Sequence, residues 1–136
     1  MTPLRSLIPS SLIAGLAFAL AAPAAHATTL NTPIMGPSTG GAFICYVSNV
    51  GTKPAKVTVT LYSSYGDAIA PDVNDCATTF SGVLPPGLTC SAAQLLPGGG
   101  TGGGYFTRCT VDSSSSKVRA VLTNNLTGLT AQAATK

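Results

Sequence analysis

Residues 55–62 alternate without a break, with Ala55, Val57, Val59 and Leu61 on one side and Lys56, Thr58, Thr60 and Tyr62 on the other. A period of two is the signature of a pleated strand, in which successive side chains point to opposite faces. The β-branched Val57, Thr58, Val59 and Thr60 suit that pleated surface. One apolar and one polar face predict a strand that covers a core on one side only. The pattern recurs along the chain. Phe43, Cys45 and Val47 share a face within residues 42–49. Tyr105, Thr107, Cys109 and Val111 alternate with Phe106, Arg108 and Thr110, and Val118, Ala120 and Leu122 alternate with Lys117, Arg119 and Thr123.

Turn residues separate these runs. Asn49, Gly51 and Pro54 reverse the chain, so residues 42–49 and 55–63 are predicted as neighbouring antiparallel strands. Asp112 to Ser116 turn the chain again and predict a second hairpin with residues 117–124. Residues 64–75 are loop-like, broken by Gly66 and Pro71, and Pro85-Pro86-Gly87 marks a tight turn between two short strand candidates. No amphipathic helix of ten residues is visible beyond the N-terminal region, and Ala92 to Leu96 support one turn at most. Short strands punctuated in this way predict an all-β antiparallel sandwich of about seven strands.

The N-terminus sets the compartment. Arg5 precedes an uncharged apolar run from Leu12 to Ala22, and Ala25-His26-Ala27 forms a small-x-small cleavage pattern. These are the parts of a helical secretory signal peptide, 1–27, cut between Ala27 and Thr28. A membrane anchor needs about 20 apolar residues, and Pro9 and Ser10-Ser11 cut this run short. The expected product is exported, to the periplasm or beyond, with no membrane span after signal removal. Removing residues 1–27 from the 136 leaves 109, enough for one domain with a modest core. The expected division is an extended segment over 28–40, a sandwich over 41–125 and a C-terminal tail over 126–136.

The mature chain carries six Lys and Arg against Asp67, Asp72, Asp75 and Asp112, with no glutamate, a net charge of +2. Nucleic-acid binding needs a denser basic face. Cys45, Cys76, Cys90 and Cys109 are even in number and, in an oxidising compartment, predict two disulfides, for which three pairings exist. Their spacings of 31, 14 and 19 contain no CxxC pair, and His26, the one histidine, leaves with the signal, so no zinc site is predicted.

Four segments in order resemble small exported bacterial immunoglobulin-like β-sandwich proteins. These are "CYVSNVGTKPAKVTVTLYSSYGD" from Cys45, "LPPGLTC" from Leu84, "YFTRCTV" from Tyr105 and "KVRAVLTNN" from Lys117. The cues are a strand ending in Asn-Val-Gly-Thr, a valine-rich strand closed by Tyr-x-x-x-Gly-Asp, and Pro-Pro-Gly opening a later strand. The resemblance spans Gly41 to Asn125 and implies the fold and an extracytoplasmic setting, with no catalytic residues to carry over. No tryptophan follows Cys45, and Thr107 stands where antibody-type domains have a tyrosine two before the second cysteine. In such a fold Cys45 lies on the second strand and Cys109 on the penultimate one, facing each other across the sheets. That implies Cys45–Cys109, leaving Cys76–Cys90 to staple the irregular middle.

Triad chemistry needs an imidazole or an equivalent base, which the mature chain lacks. Ser113 to Ser116 beside Lys117 reads as a solvated turn rather than a Ser-Lys pair. Asp67, Asp72, Asn74 and Asp75 miss the spacing of a calcium loop and read as turn-capping residues. Gly98 to Gly104 hold six glycines in seven positions but open a strand, not the helix that a phosphate or dinucleotide loop requires. That run is predicted as mobile slack outside the core. The sequence thus predicts no cofactor and no metal. It predicts a non-enzymatic module that binds a protein or glycan of the envelope, with Tyr46, Tyr62, Tyr65, Tyr105, Arg108 and Arg119 as candidate contacts. The alternatives are a small hydrolase or hydrolase inhibitor, and a surface-fibre subunit that donates residues 28–40 as a strand.

Overall fold

A computed structural model describes residues 27–38, 40–96, 105–125 and 127–135. In chain order the elements are β1 (Thr28–Asn31), β2 (Met35–Ser38), β3 (Gly41–Asn49), β4 (Ala55–Ser63), β5 (Ala68–Ile69) and β6 (Val73–Asn74). After them come α1 (Asp75–Thr78), β7 (Val83–Leu84), β8 (Thr89–Leu96), β9 (Tyr105–Ser113), β10 (Val118–Asn124), β11 (Thr130–Gln132) and β12 (Ala134–Thr135). One seven-stranded sheet runs β12-β1-β9-β4-β5, with β2 also on β9 and β7 also on β4. The second, five-stranded sheet runs β11-β10-β3-β8-β6. All pairings are antiparallel.

The alternation seen in the sequence becomes the core. Ala55, Val57, Val59 and Leu61 point inward with Thr107, Cys109 and Val111 from one sheet, and Phe43, Cys45, Val47, Val118, Ala120 and Leu122 point inward from the other, all buried. The disulfide Cys45–Cys109 joins β3 to β9, and so joins the two sheets, with a Cα–Cα distance of 6.1 Å. Three further strands follow β9, so Cys109 is not on the penultimate one. A second disulfide, Cys76–Cys90, ties α1 to β8 at a Cα–Cα distance of 5.0 Å.

Neither predicted hairpin forms. β3 pairs with β8 and β10, whereas β4 pairs with β9, in the opposite sheet. The turn between β3 and β4 is therefore an arch across the core, and the side chain of Asn49, 1% exposed, holds it. Its Nδ2 donates to the carbonyls of Lys53 and Leu84, each at 2.9 Å, while its Oδ1 accepts from the Gly51 amide at 3.0 Å. At Gly51 a Cβ would lie 3.0 Å from the Lys117 Cβ and 3.1 Å from Asn49 Oδ1, so the arch leaves little room for a side chain. The Asp112–Ser116 turn crosses between sheets in the same way. There Ser113 Oγ accepts from the Ser115 amide, Ser115 Oγ from the Lys117 amide, and Ser114 Oγ from the Lys56 amide.

The strands among the described residues number twelve rather than about seven, because segments of two to four residues are too short to show a period. The sandwich also reaches beyond residues 41–125. β1 pairs with β9 and β12, β2 with β9, and β11 with β10, and Leu30 and Met35 are buried. Thr32 bridges β1 and β2, its amide donating to the Cys109 carbonyl at 2.9 Å and its Oγ1 accepting from the Cys109 amide at 2.8 Å. Ala92 to Leu96, allowed one helical turn by their composition, are strand in β8. Residues 1–26, which hold the predicted signal peptide up to its cleavage site, and the Gly98–Gly104 run lie outside the described residues.

Candidate functional site

The candidate contact residues do not share a face. Tyr62 and Arg108 are cross-strand neighbours on β4 and β9, on the outer side of the seven-stranded sheet. The guanidinium carbon of Arg108 stands 5.0 Å from the centroid of the Tyr62 ring, a cation–π contact worth about 0.5–1 kcal/mol when partly exposed. Around this pair the face is rich in hydroxyls: Thr60 lies opposite Thr110 and Thr58 opposite Asp112, while Thr29 Oγ1 donates to Asp112 Oδ1 at 2.6 Å. Tyr65 is 91% exposed in the turn after β4. Tyr105 begins β9, and its side chain lies outside the described residues.

Tyr46 and Arg119 lie on the opposite side of the molecule, on the outer face of the five-stranded sheet. Arg119 is turned along β10, donating to the carbonyls of Ser116 at 3.0 Å and Val118 at 2.9 Å. Tyr46, 41% exposed, forms one wall of an open groove of about 320 Å³ lined also by Asp75, Thr79, Phe80, Thr89, Cys90 and Ser91.

This groove is built by a short piece of irregular chain. Asn74 caps α1, its Oδ1 accepting from the Ala77 amide at 3.1 Å, and Thr78 Oγ1 donates back to the Asn74 carbonyl at 2.9 Å. Cys76, 2% exposed, turns from α1 into the core and binds Cys90 of β8, so the turn cannot swing away from the sheet. Phe80, just beyond the helix, packs half-buried against the core cluster. Across the gap Ser91 Oγ donates to Asp75 Oδ2 at 2.8 Å, leaving Oδ1 with no partner among the described residues. Beside it the hydroxyls of Ser48 and Thr89 share a hydrogen bond of 2.7 Å. The arrangement offers a ligand one exposed aromatic, one open carboxylate oxygen and several hydroxyls, held in place by a covalent link.

Sequence reasoning found Tyr46 but missed Asp75, which it read as a turn-capping residue of a loop, and Phe80, Thr89 and Ser91, which fall in the stretch it read as two short strand candidates around Pro85-Pro86-Gly87. The local signal was present in Asn74-Asp75-Cys76, an N-cap followed by an acidic first turn. It gains meaning only when Cys76 is joined to Cys90. The aspartates of residues 67–75 do not converge. Asp72 accepts from the Leu95 amide at 2.7 Å, capping part of the β8 edge, while Asp75 faces the groove. Among the described residues no group of three His, Cys, Asp or Glu side chains could hold a metal ion, and no helix is long and apolar enough to cross a membrane. No protein-family model, curated protein or solved structure matches the chain.

Proposed function

We propose that the chain is an exported, non-enzymatic module of immunoglobulin-like type that works by binding in the cell envelope or the extracellular space. The observation that carries the reading is the groove beside Tyr46, whose two walls are joined by the Cys76–Cys90 disulfide. A rigid recognition surface loses little entropy when it binds, which is what such a staple supplies. Export is supported by the signal-peptide pattern of residues 1–27 and by two disulfides, which persist in oxidising compartments. The placement of β1 and β2 in the sheet of their own chain, with Leu30 and Met35 in the core, supports a self-contained module over a fibre subunit that donates residues 28–40. No imidazole or glutamate accompanies Asp75 and Ser91 in the groove, which favours recognition over hydrolysis.

The test is site-specific photocrosslinking in the native envelope, with the crosslinker placed at position 46 and, separately, at position 62. Capture of one defined partner from position 46 and none from position 62 is expected. Capture from position 62 alone, or from neither position, overturns the assignment of the groove. Sequencing of the exported protein should find Thr28 at its N-terminus, and an uncleaved chain would overturn the export reading.

A further inference from the structure

We infer that the Tyr46 groove takes a neutral pyranose ring within a glycan chain; the inference rests on the reading of that groove as the binding site. The charge of the lining comes first. Among the described residues Asp75 is the one acidic group in it, and no lysine or arginine lines it. An acidic ligand would therefore meet a carboxylate without a compensating cation, and repulsion of like charges in a partly desolvated groove is costly. A neutral polyol suffers no such penalty. Its hydroxyls can donate to the open Oδ1 of Asp75, a charge-assisted hydrogen bond stronger than a neutral one.

The remaining lining fits the same chemistry. The Thr79 hydroxyl can donate and accept, Ser91, whose proton goes to Asp75, can accept, and Thr89, which shares a hydrogen bond with Ser48, keeps room to accept, so the lining meets both the donors and the acceptors of sugar hydroxyls. Tyr46 and Phe80 supply the apolar surface that the C–H faces of a sugar ring require, and Tyr46 adds a polar tip. At about 320 Å³ the groove stands at the small end of ligand sites, which begin near roughly 300 Å³, and suits one ring rather than a large cofactor. Because the groove is open, the ring can belong to a chain that continues past both ends. The Cys76–Cys90 link fixes Asp75 and Phe80 against β8 before the ligand arrives.

The experiment is calorimetric titration of the exported, disulfide-bonded protein with hexasaccharides of glucose and of N-acetylglucosamine, with hexagalacturonate as the acidic counterpart. A neutral hexasaccharide should bind, and hexagalacturonate should bind at least about tenfold more weakly. Tyr46→Ala should weaken the neutral ligand about tenfold, and Asp75→Asn, which keeps an acceptor for Ser91, about fivefold. Thr58→Ala, on the outer face of the opposite sheet, should change nothing, and retained disulfides and circular dichroism should establish that each variant is folded. Equal or tighter binding of hexagalacturonate overturns the proposal, as does neutral binding untouched by both groove substitutions. If no neutral glycan binds while the crosslinker at position 46 captures a protein, the glycan assignment fails and the binding module stands. If neither glycan nor protein is captured, both fail.

Discussion

Asn49 is the side chain on which the β3–β4 arch depends, and its removal gives a quantitative test of the fold. Asn49→Ala deletes three hydrogen bonds, two to the carbonyls of Lys53 and Leu84 and one from the Gly51 amide. At a net 0.5–1.5 kcal/mol each, their loss costs about 3 kcal/mol. The Leu84 carbonyl is left in a buried position without that donor, which raises the cost toward about 5 kcal/mol. Against a typical total stability of about 5–15 kcal/mol this is a large fraction. Urea titration of the disulfide-bonded protein should show the unfolding free energy falling by that amount, with the midpoint lowered in proportion and the slope unchanged. Asn49→Asp sharpens the test. A carboxylate there keeps the Gly51 contact but turns an oxygen toward the two carbonyls, so its folded-state pKa should rise above the unfolded value. Stability conferred by such a group is present at low pH and lost as pH rises, so the aspartate variant should fare worst at neutral pH and recover on acidification. A loss below about 1 kcal/mol for Asn49→Ala, or no pH dependence in Asn49→Asp relative to the parent, would refute the arch argument.

Two further predictions address other parts of the fold. Leu30→Ala should cost about 2–5 kcal/mol by thermal or urea unfolding, because the side chain is 1% exposed in the core; a negligible loss would mean that β1 is a dispensable extension. Replacing both cysteines of a disulfide by serine should cost about 3 kcal/mol for the pair 14 residues apart and about 4 kcal/mol for the pair 64 apart, from loop closure alone. The shorter link should matter more for the groove: the Cys76/Cys90 variant should lose ligand affinity even where it remains folded, and unchanged affinity would refute its positioning role.

Strand formation and strand facing were legible in the sequence because both depend on local geometry. The period of two in residues 55–62 puts Val57 and Leu61 inward and Thr58 and Tyr62 outward whatever the partner strand. Tyr46, Tyr62, Arg108 and Arg119 were identifiable as outward-facing by the same rule. The choice of sheet was not legible. A strand with one apolar face satisfies either sheet of a sandwich equally well, so Asn49-Val50-Gly51 could equally serve a hairpin or an arch. Only the buried contact of Asn49 with Leu84, which joins segments 35 residues apart in the chain, decides for the arch. The two-residue strands were invisible for the same reason, since a pair of residues has no period and is held by its neighbours. The groove was the least legible feature. Tyr46, Asp75, Phe80 and Ser91 belong to three separate stretches of chain, and what brings them together is the pairing of β3 with β8 and the Cys76–Cys90 link. Period and turn chemistry determined which residues face water; long-range pairing, whose energy appears only when distant strands meet, decided which of them face it together.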